Sequence, residues 1–153
     1  IDGNITLLQT IKFDGDFGNK QGSNYHDFLV DAQNHEIIIV GYYDYRASGN
    51  YTIVKKVPLK SVEVGDVNYT DNDVVNTFTI PEITVIQGAF VINDHLFIGD
   101  QRNWIVNIDM TKKKVVGYIK LNNFTSELEG IAPYQGKMVV DIDGQIKQLI
   151  FKQ

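Results

Sequence analysis

Cysteine is absent from the 153 residues, which removes disulfides, thiolate nucleophiles and cysteine-based zinc sites and leaves the redox compartment open. Arginine occurs only as Arg46 and Arg102, and the net charge is −5. The clustered cations that neutralise nucleic-acid phosphates are therefore missing, and a basic partner or a neutral ligand fits the balance better. No apolar run approaches the roughly 20 residues that carry a helix across a bilayer. Alanine and leucine, which fill ordinary helices, number only 4 and 8, and no stretch keeps a helical period. The chain begins at Ile1 with no basic-then-apolar leader, which reads as a processed or trimmed start.

What is abundant points one way. Isoleucine, valine and threonine total 44 residues, and their branched side chains favour the pleated strand. Asp outnumbers Glu by 14 to 5, and with 13 Gly and 13 Asn there is a surplus of residues that prefer turns to helix interiors. The composition predicts an all-β chain forming one domain over residues 1–153. Asn-x-Thr sequons stand at Asn4, Asn50, Asn68 and Asn123, a number that a chain so rich in Asn and Thr also produces by chance.

Strand-length apolar runs recur in register. Phe28 to Ala32 and Ile37 to Tyr43 flank a turn at Asn34-His35; Ala89 to Ile92 and Leu96 to Asp100 flank Asn93-Asp94; Ile131 to Tyr134 and Met138 to Ile142 flank Gln135-Gly136. A third run follows each hairpin, at Tyr51 to Leu59, Trp104 to Met110 and Gln145 to Phe151, and a fourth follows the first two, at Asn76 to Ile80 and Val115 to Leu121. The second and third turns lie 42 residues apart, a spacing typical of propeller blades. Inserts at Asp44 to Asn50 and Ser61 to Asp73 lengthen the first unit, as loops of repeat folds tolerate. The unpartnered run Ile5 to Phe13 is expected to supply the fourth strand of the last unit. This predicts three propeller-type blades of four strands, the last completed by the N-terminal strand. Three blades do not close a ring, so a homo-oligomer or part of a longer chain is expected. A β-sandwich of short strands is the alternative.

The run Glu127-Leu128-Glu129-Gly130-Ile131-Ala132-Pro133-Tyr134, followed by Gly136-Lys137-Met138-Val139-Val140, resembles the innermost hairpin of six-bladed propellers of the gluconolactonase, NHL-repeat and TolB-like group. Leu96 to Leu121 resembles the outer half of such a blade. The resemblance implies a fold rather than a reaction. It also implies that ligands gather where the inner strands begin, at His26-Asp27, Gln87-Gly88 and Glu129-Gly130. In gluconolactonase-like propellers an acidic residue at that place helps hold a divalent cation, and Glu129 falls on it; oxygen ligands of this kind suit calcium.

Other constellations are weaker. His26 beside Asp27 has the groups of a general base and its orienting acid, but strand neighbours point to opposite faces. His35 and His95 are expected to be solvated at turns. Asp141-Ile142-Asp143-Gly144 imitates the start of a calcium loop and reads better as a hairpin turn. Asp14, Asp16 and Gly18 read as an acidic blade connection. Tyr42, Tyr43, Tyr45 and Tyr51, with Arg46, could form a recognition loop, with Tyr43 and Tyr45 on one side. The leading expectation is a non-enzymatic binding or scaffold propeller of the cell exterior or envelope, recognising a protein or glycan through blade loops. The rival is a metal-dependent lactonase-like hydrolase working at the channel mouth.

Overall fold

The computed structural model describes residues 9–14, 24–43, 51–60, 65–81, 83 and 85–149. Their regular structure is all-β apart from one 3-10 turn at Asp71–Asp73. A two-stranded sheet joins β1 (Gln9–Phe13) to β5 (Gly65–Tyr69). The first meander contains β2 (Asn24–Asp31), β3 (Glu36–Tyr43), β4 (Tyr51–Pro58) and β6 (Asn76–Pro81). The second contains β7 (Ile86–Ile92), β8 (His95–Asp100), β9 (Trp104–Asp109) and β10 (Lys114–Lys120). The third contains β11 (Leu128–Tyr134), β12 (Lys137–Ile142) and β13 (Gln145–Leu149).

All three expected hairpins form, and their turn residues show why. Asn93 and Asp94 adopt φ of 49° and 59°, and Gln135 and Gly136 adopt 49° and 72°, the two consecutive left-handed residues that match a two-residue turn to the twist of its strands. Asp143 and Gly144 repeat this at 60° and 65°, so the calcium-like segment is a hairpin turn between β12 and β13. The first hairpin has a four-residue loop instead, from Ala32 to His35, between the paired residues Asp31 and Glu36. Asp31 holds it, accepting bonds from the backbone N–H of Gln33 and Asn34, both at 3.1 Å.

The three meanders stack face to face. Ile38, Val40, Val54 and Ile80 of the first interleave with Ile86, Leu96, Ile98 and Val106 of the second. On the opposite face of the second sheet, Phe90 and Ile105 pack with Leu128, Ile131, Met138 and Val140 of the third. A sheet covered on both sides needs apolar residues on both, which explains the unbroken buried run Ile37-Ile38-Ile39-Val40 in β3.

The N-terminal strand departs from the expected closure. β1 pairs in parallel with β5, Gln9 opposite Gly65 through Phe13 opposite Tyr69, and among the described residues the third sheet ends at β13. The physical reason is the outer face of the first meander, where Ile37, Ile39 and Val57 need a cover. Tyr69 supplies it at 1% exposure, and the Phe13 ring lies 5.2 Å from Tyr69 and 4.8 Å from Phe28. Burying that flank fixes the strand there. The described part of the Ser61 to Asp73 insert thus supplies a strand, Gly65–Tyr69, and not only a loop.

Candidate binding site

The inner strands β2, β7 and β11 each carry one β-bulge at the same place. Pairing jumps from Tyr25–Gly41 to Asp27–Val40 in the first sheet, from Ile86–Asp100 to Gly88–Gly99 in the second, and from Leu128–Ile142 to Gly130–Asp141 in the third. The extra residues are His26, Gln87 and Glu129. Each stands five residues before the last residue of its strand, Asp31, Ile92 or Tyr134. A bulge leaves its extra residue outside the ladder and re-aims its side chain, which is why bulges mark sites that display groups.

This equivalence resolves the alignment of the first unit. Counting back from the turns displaces it by two residues, because its hairpin loop has four residues where the others have two. His26 is the counterpart of Gln87 and Glu129, and Asp27 is the counterpart of Gly88 and Gly130. Asp27 is half-buried, Gln87 half-buried and Glu129 exposed. Only the backbone of His26 is described; the same holds for Tyr42 and Tyr43, whereas Tyr45, Arg46 and the rest of the Asp44 to Asn50 insert lie outside the described residues.

The bulge ends of β7 and β11 are drawn close together. A Cβ placed on Gly88, whose φ is +153°, would stand 3.2 Å from the Ile131 nitrogen and 3.3 Å from the Gly130 Cα. One placed on Gly99 would meet Leu128 and Ile131 side chains. The cross-strand glycine pair Gly88–Gly99 therefore lets the third sheet approach the second at this end. Side-chain bonds cross the same seam: Gln87 Nε2 donates to Glu127 Oε2 at 3.2 Å, and Asn103 Nδ2 donates to the Ser126 carbonyl at 2.8 Å. Gln87 and Glu129 are thus on neighbouring strands at one end of the stack, with Glu127 joined to the first of them. Among the described residues no three His, Asp or Glu side chains gather into a cation cage around Glu129.

Sequence reasoning missed an aromatic and cationic patch on the outer strands of the second sheet at this end. Trp104 meets Tyr118 edge-on at 6.2 Å, Lys120 Nζ lies 4.9 Å over the Trp104 ring, and Arg102 lines the same cleft of about 480 Å³. Arg102 is held by Asp100, which is fully buried: Nη2 donates to Oδ2 at 2.7 Å and Nε to Oδ1 at 3.0 Å. The available signal was the chain's one tryptophan opening a third strand two residues after an arginine. His95 also differs from expectation. It opens β8 half-buried, and its Nδ1 lies 2.7 Å from Asn107 Oδ1.

No protein-family model and no curated protein matches the chain. Among solved structures it is similar to apo AztD from Citrobacter koseri, at 10% identity and a TM-score of 0.42, over 77% of this chain and 41% of that one. The chain thus spans about two fifths of that protein. It is also similar to the computationally designed Ika4 protein, at 14% identity and a TM-score of 0.44, over 97% of this chain and 100% of the other. Likenesses this distant carry no argument about activity.

Proposed function

We propose that the chain is a non-enzymatic binding module of the cell exterior or envelope, built from three propeller-type blades, which recognises a protein or glycan at the bulge end of its inner strands. One observation carries this reading: the three bulges fall in register, so His26, Gln87 and Glu129 are equivalent positions on three stacked sheets. Equivalent groups brought together from separate units make a composite surface that no single unit has. The Trp104, Tyr118 and Arg102 patch adds amphipathic area of the kind that sugars and peptides use. The open face of the third sheet, with Tyr134 at 59% and Ile146 at 78% exposure, suits a further blade from a second copy or a longer chain. A metal-dependent lactonase-like activity would ask for further oxygen ligands around Glu129, and calcium is the cation that such a set would favour.

The test is a glycan and peptide array followed by calorimetry on the best ligand, comparing the unaltered chain with the triple variant His26→Ala, Gln87→Ala, Glu129→Gln. Loss of binding by about tenfold or more with unchanged circular dichroism is expected, since each lost contact is worth about 1 kcal/mol. Unchanged binding places recognition elsewhere. Calcium-dependent hydrolysis of a lactone by the unaltered chain, abolished in the variant, makes the hydrolase reading the correct one.

A further inference from the structure

The third sheet buries one face and leaves the other open, and alternation along its strands sorts the two sets. Ile131, Met138, Val140 and Ile142 turn to the second sheet and fill the seam between them, the second seam of the stack. The opposite face carries Ala132 and Tyr134 of β11, Lys137, Val139 and Asp141 of β12, and Ile146 of β13. Among the described residues none of these six joins a hydrophobic cluster, and Tyr134 and Ile146 are exposed. The other end of the stack differs, because Tyr69 and Phe13 already pack over Ile37 and Ile39 of the first sheet.

Charge on the open face follows a symmetric order. The outward residues of β12 read Lys137, Val139, Asp141: a cation, an apolar centre and an anion. Four residues rising about 3.3 Å each set the two charges about 13 Å apart, so they do not pair within one copy. Asp141 also has an unmet need, since its Oδ1 is buried without a hydrogen-bond partner. A buried carboxylate oxygen is unfavourable until a donor reaches it.

A second copy supplies that donor when it lies face to face with the first, turned about a two-fold axis that runs across the strands above Val139. This rotation reverses the strand direction. It sets Lys137 of each copy over Asp141 of its partner, with Val139 over Val139. The cross-strand pairs agree with it: Tyr134 is opposite Lys137 and Gly130 is opposite Asp141, so each exposed Tyr134 ring falls over the partner's Gly130, which has no side chain to oppose it. An axis along the strands would set Lys137 over Lys137 and Asp141 over Asp141, which like charge disfavours. A head-to-tail contact would need the first sheet's outer flank, where β1 and β5 already lie.

We propose that the open face of the third sheet is a two-fold interface with a second copy of this chain, centred on Val139 and closed at its ends by reciprocal Lys137–Asp141 pairs. It does not depend on the ligand recognised at the bulge end. The face is small: three strands of 7, 6 and 5 residues, about 4.8 Å apart, present roughly 300 Å². A standard interface buries about 800 Å² per partner, so association in the micromolar range is expected.

Sedimentation equilibrium of the chain, from low micromolar to near-millimolar concentration, should show monomer and dimer. Lys137→Glu and Asp141→Lys should each weaken the dimer by about tenfold or more, because each sets two like-charge pairs in contact. The double variant, which exchanges the two charges, should return to within about threefold of the unaltered chain. Ala132→Cys, beside the axis in a chain with no other cysteine, should be joined to its own copy by a short bis-maleimide that spans the ~10 Å between packed sheets. Val116→Cys, exposed on the outer strand of the second sheet, should not be. A monomer throughout that range, a dimer indifferent to the charge changes, or single-variant losses that the double variant does not reverse would overturn the proposal. A dimer broken instead by Val30→Glu, on the exposed outer face of the first sheet, would also overturn it and mark a head-to-tail contact. If Asp141→Lys fails to fold, as judged by circular dichroism, Lys137→Glu and the crosslinking decide.

Discussion

Gly88→Ala tests the close approach that organises both ends of the second seam. The added Cβ would stand 3.2 Å and 3.3 Å from backbone atoms of Ile131 and Gly130, which have no rotamer to change, and the residue would keep φ near +153°, a strained value for an L-residue. Backbone strain of about 1–3 kcal/mol and overpacking of a similar size give an expected loss of about 3 kcal/mol. Gly117→Ala is the matched control, because its Cβ would meet only the Asn107 Cβ at 4.0 Å. That change should be neutral or stabilising by up to about 1 kcal/mol, through a less flexible unfolded chain. Gly99→Ala falls between them: its Cβ would stand 2.5 Å from Leu128 Cδ2, a side-chain atom that can move at some cost. Urea unfolding followed by circular dichroism reads all three. With a slope of about 1–3 kcal/mol/M, the Gly88 variant should unfold about 1–3 M earlier than the control. A Gly88 variant as stable as Gly117→Ala would refute the close approach of β7 to β11.

Three further outcomes are expected. Removing Asn34 and Asp94 singly and together should show a coupling of about 0.5–1.5 kcal/mol in a double-mutant cycle, because the bond between them ties two turns of different sheets. The Lys112 ammonium, donating at 2.7 Å, and the Lys112 backbone N–H, at 2.8 Å, hold the Asp109 carboxyl below its ordinary 3.8. As pH falls below about 4 the unfolded chain is protonated first, so this contribution is complete above that pH and is lost as pH drops through the lowered native value; Asp109→Asn should flatten the acid limb of urea midpoints measured against pH. Asp100→Asn should cost about 1–3 kcal/mol by urea unfolding, since the buried carboxylate carries the Arg102 guanidinium and its backbone N–H at 2.7 Å.

The repeated hairpins were legible because each carries its own local instructions. Asn93-Asp94 and Gln135-Gly136 accept left-handed backbone, and the flanking β-branched runs can only be strands. The inner-strand starts were legible as well, because a polar residue before an apolar run stands out; that these residues sit on bulges was not, since a bulge depends on the facing strand. The position of the N-terminal strand was hidden for the same reason. The run Ile5 to Phe13 fits any apolar face; residues 5–8 lie outside the described residues, and the partner of Gln9–Phe13 is the insert strand Gly65–Tyr69, whose Asp66 and Asn68 disguise it as loop. The four-residue first loop was a local feature that repeat counting treated as two.

The two ends of β7 differ in the surface they offer for one reason, the order of side-chain sizes along the strand. At Gly88 the absent side chain lets β11 come within contact, and the bulge residues Gln87 and Glu129 stand at that same end of the two strands. Two residues further on, Phe90 and its partner Phe97 stack on each other and line a cleft beside Met138 with apolar surface. Both features require the same rigid seam, and neither requires the residues of the other. Gly88→Ala, which shifts the seam itself, should consequently weaken binding at the bulge end as well as stability, whereas Gly117→Ala, whose Cβ meets only the Asn107 Cβ at 4.0 Å, should leave binding within about twofold.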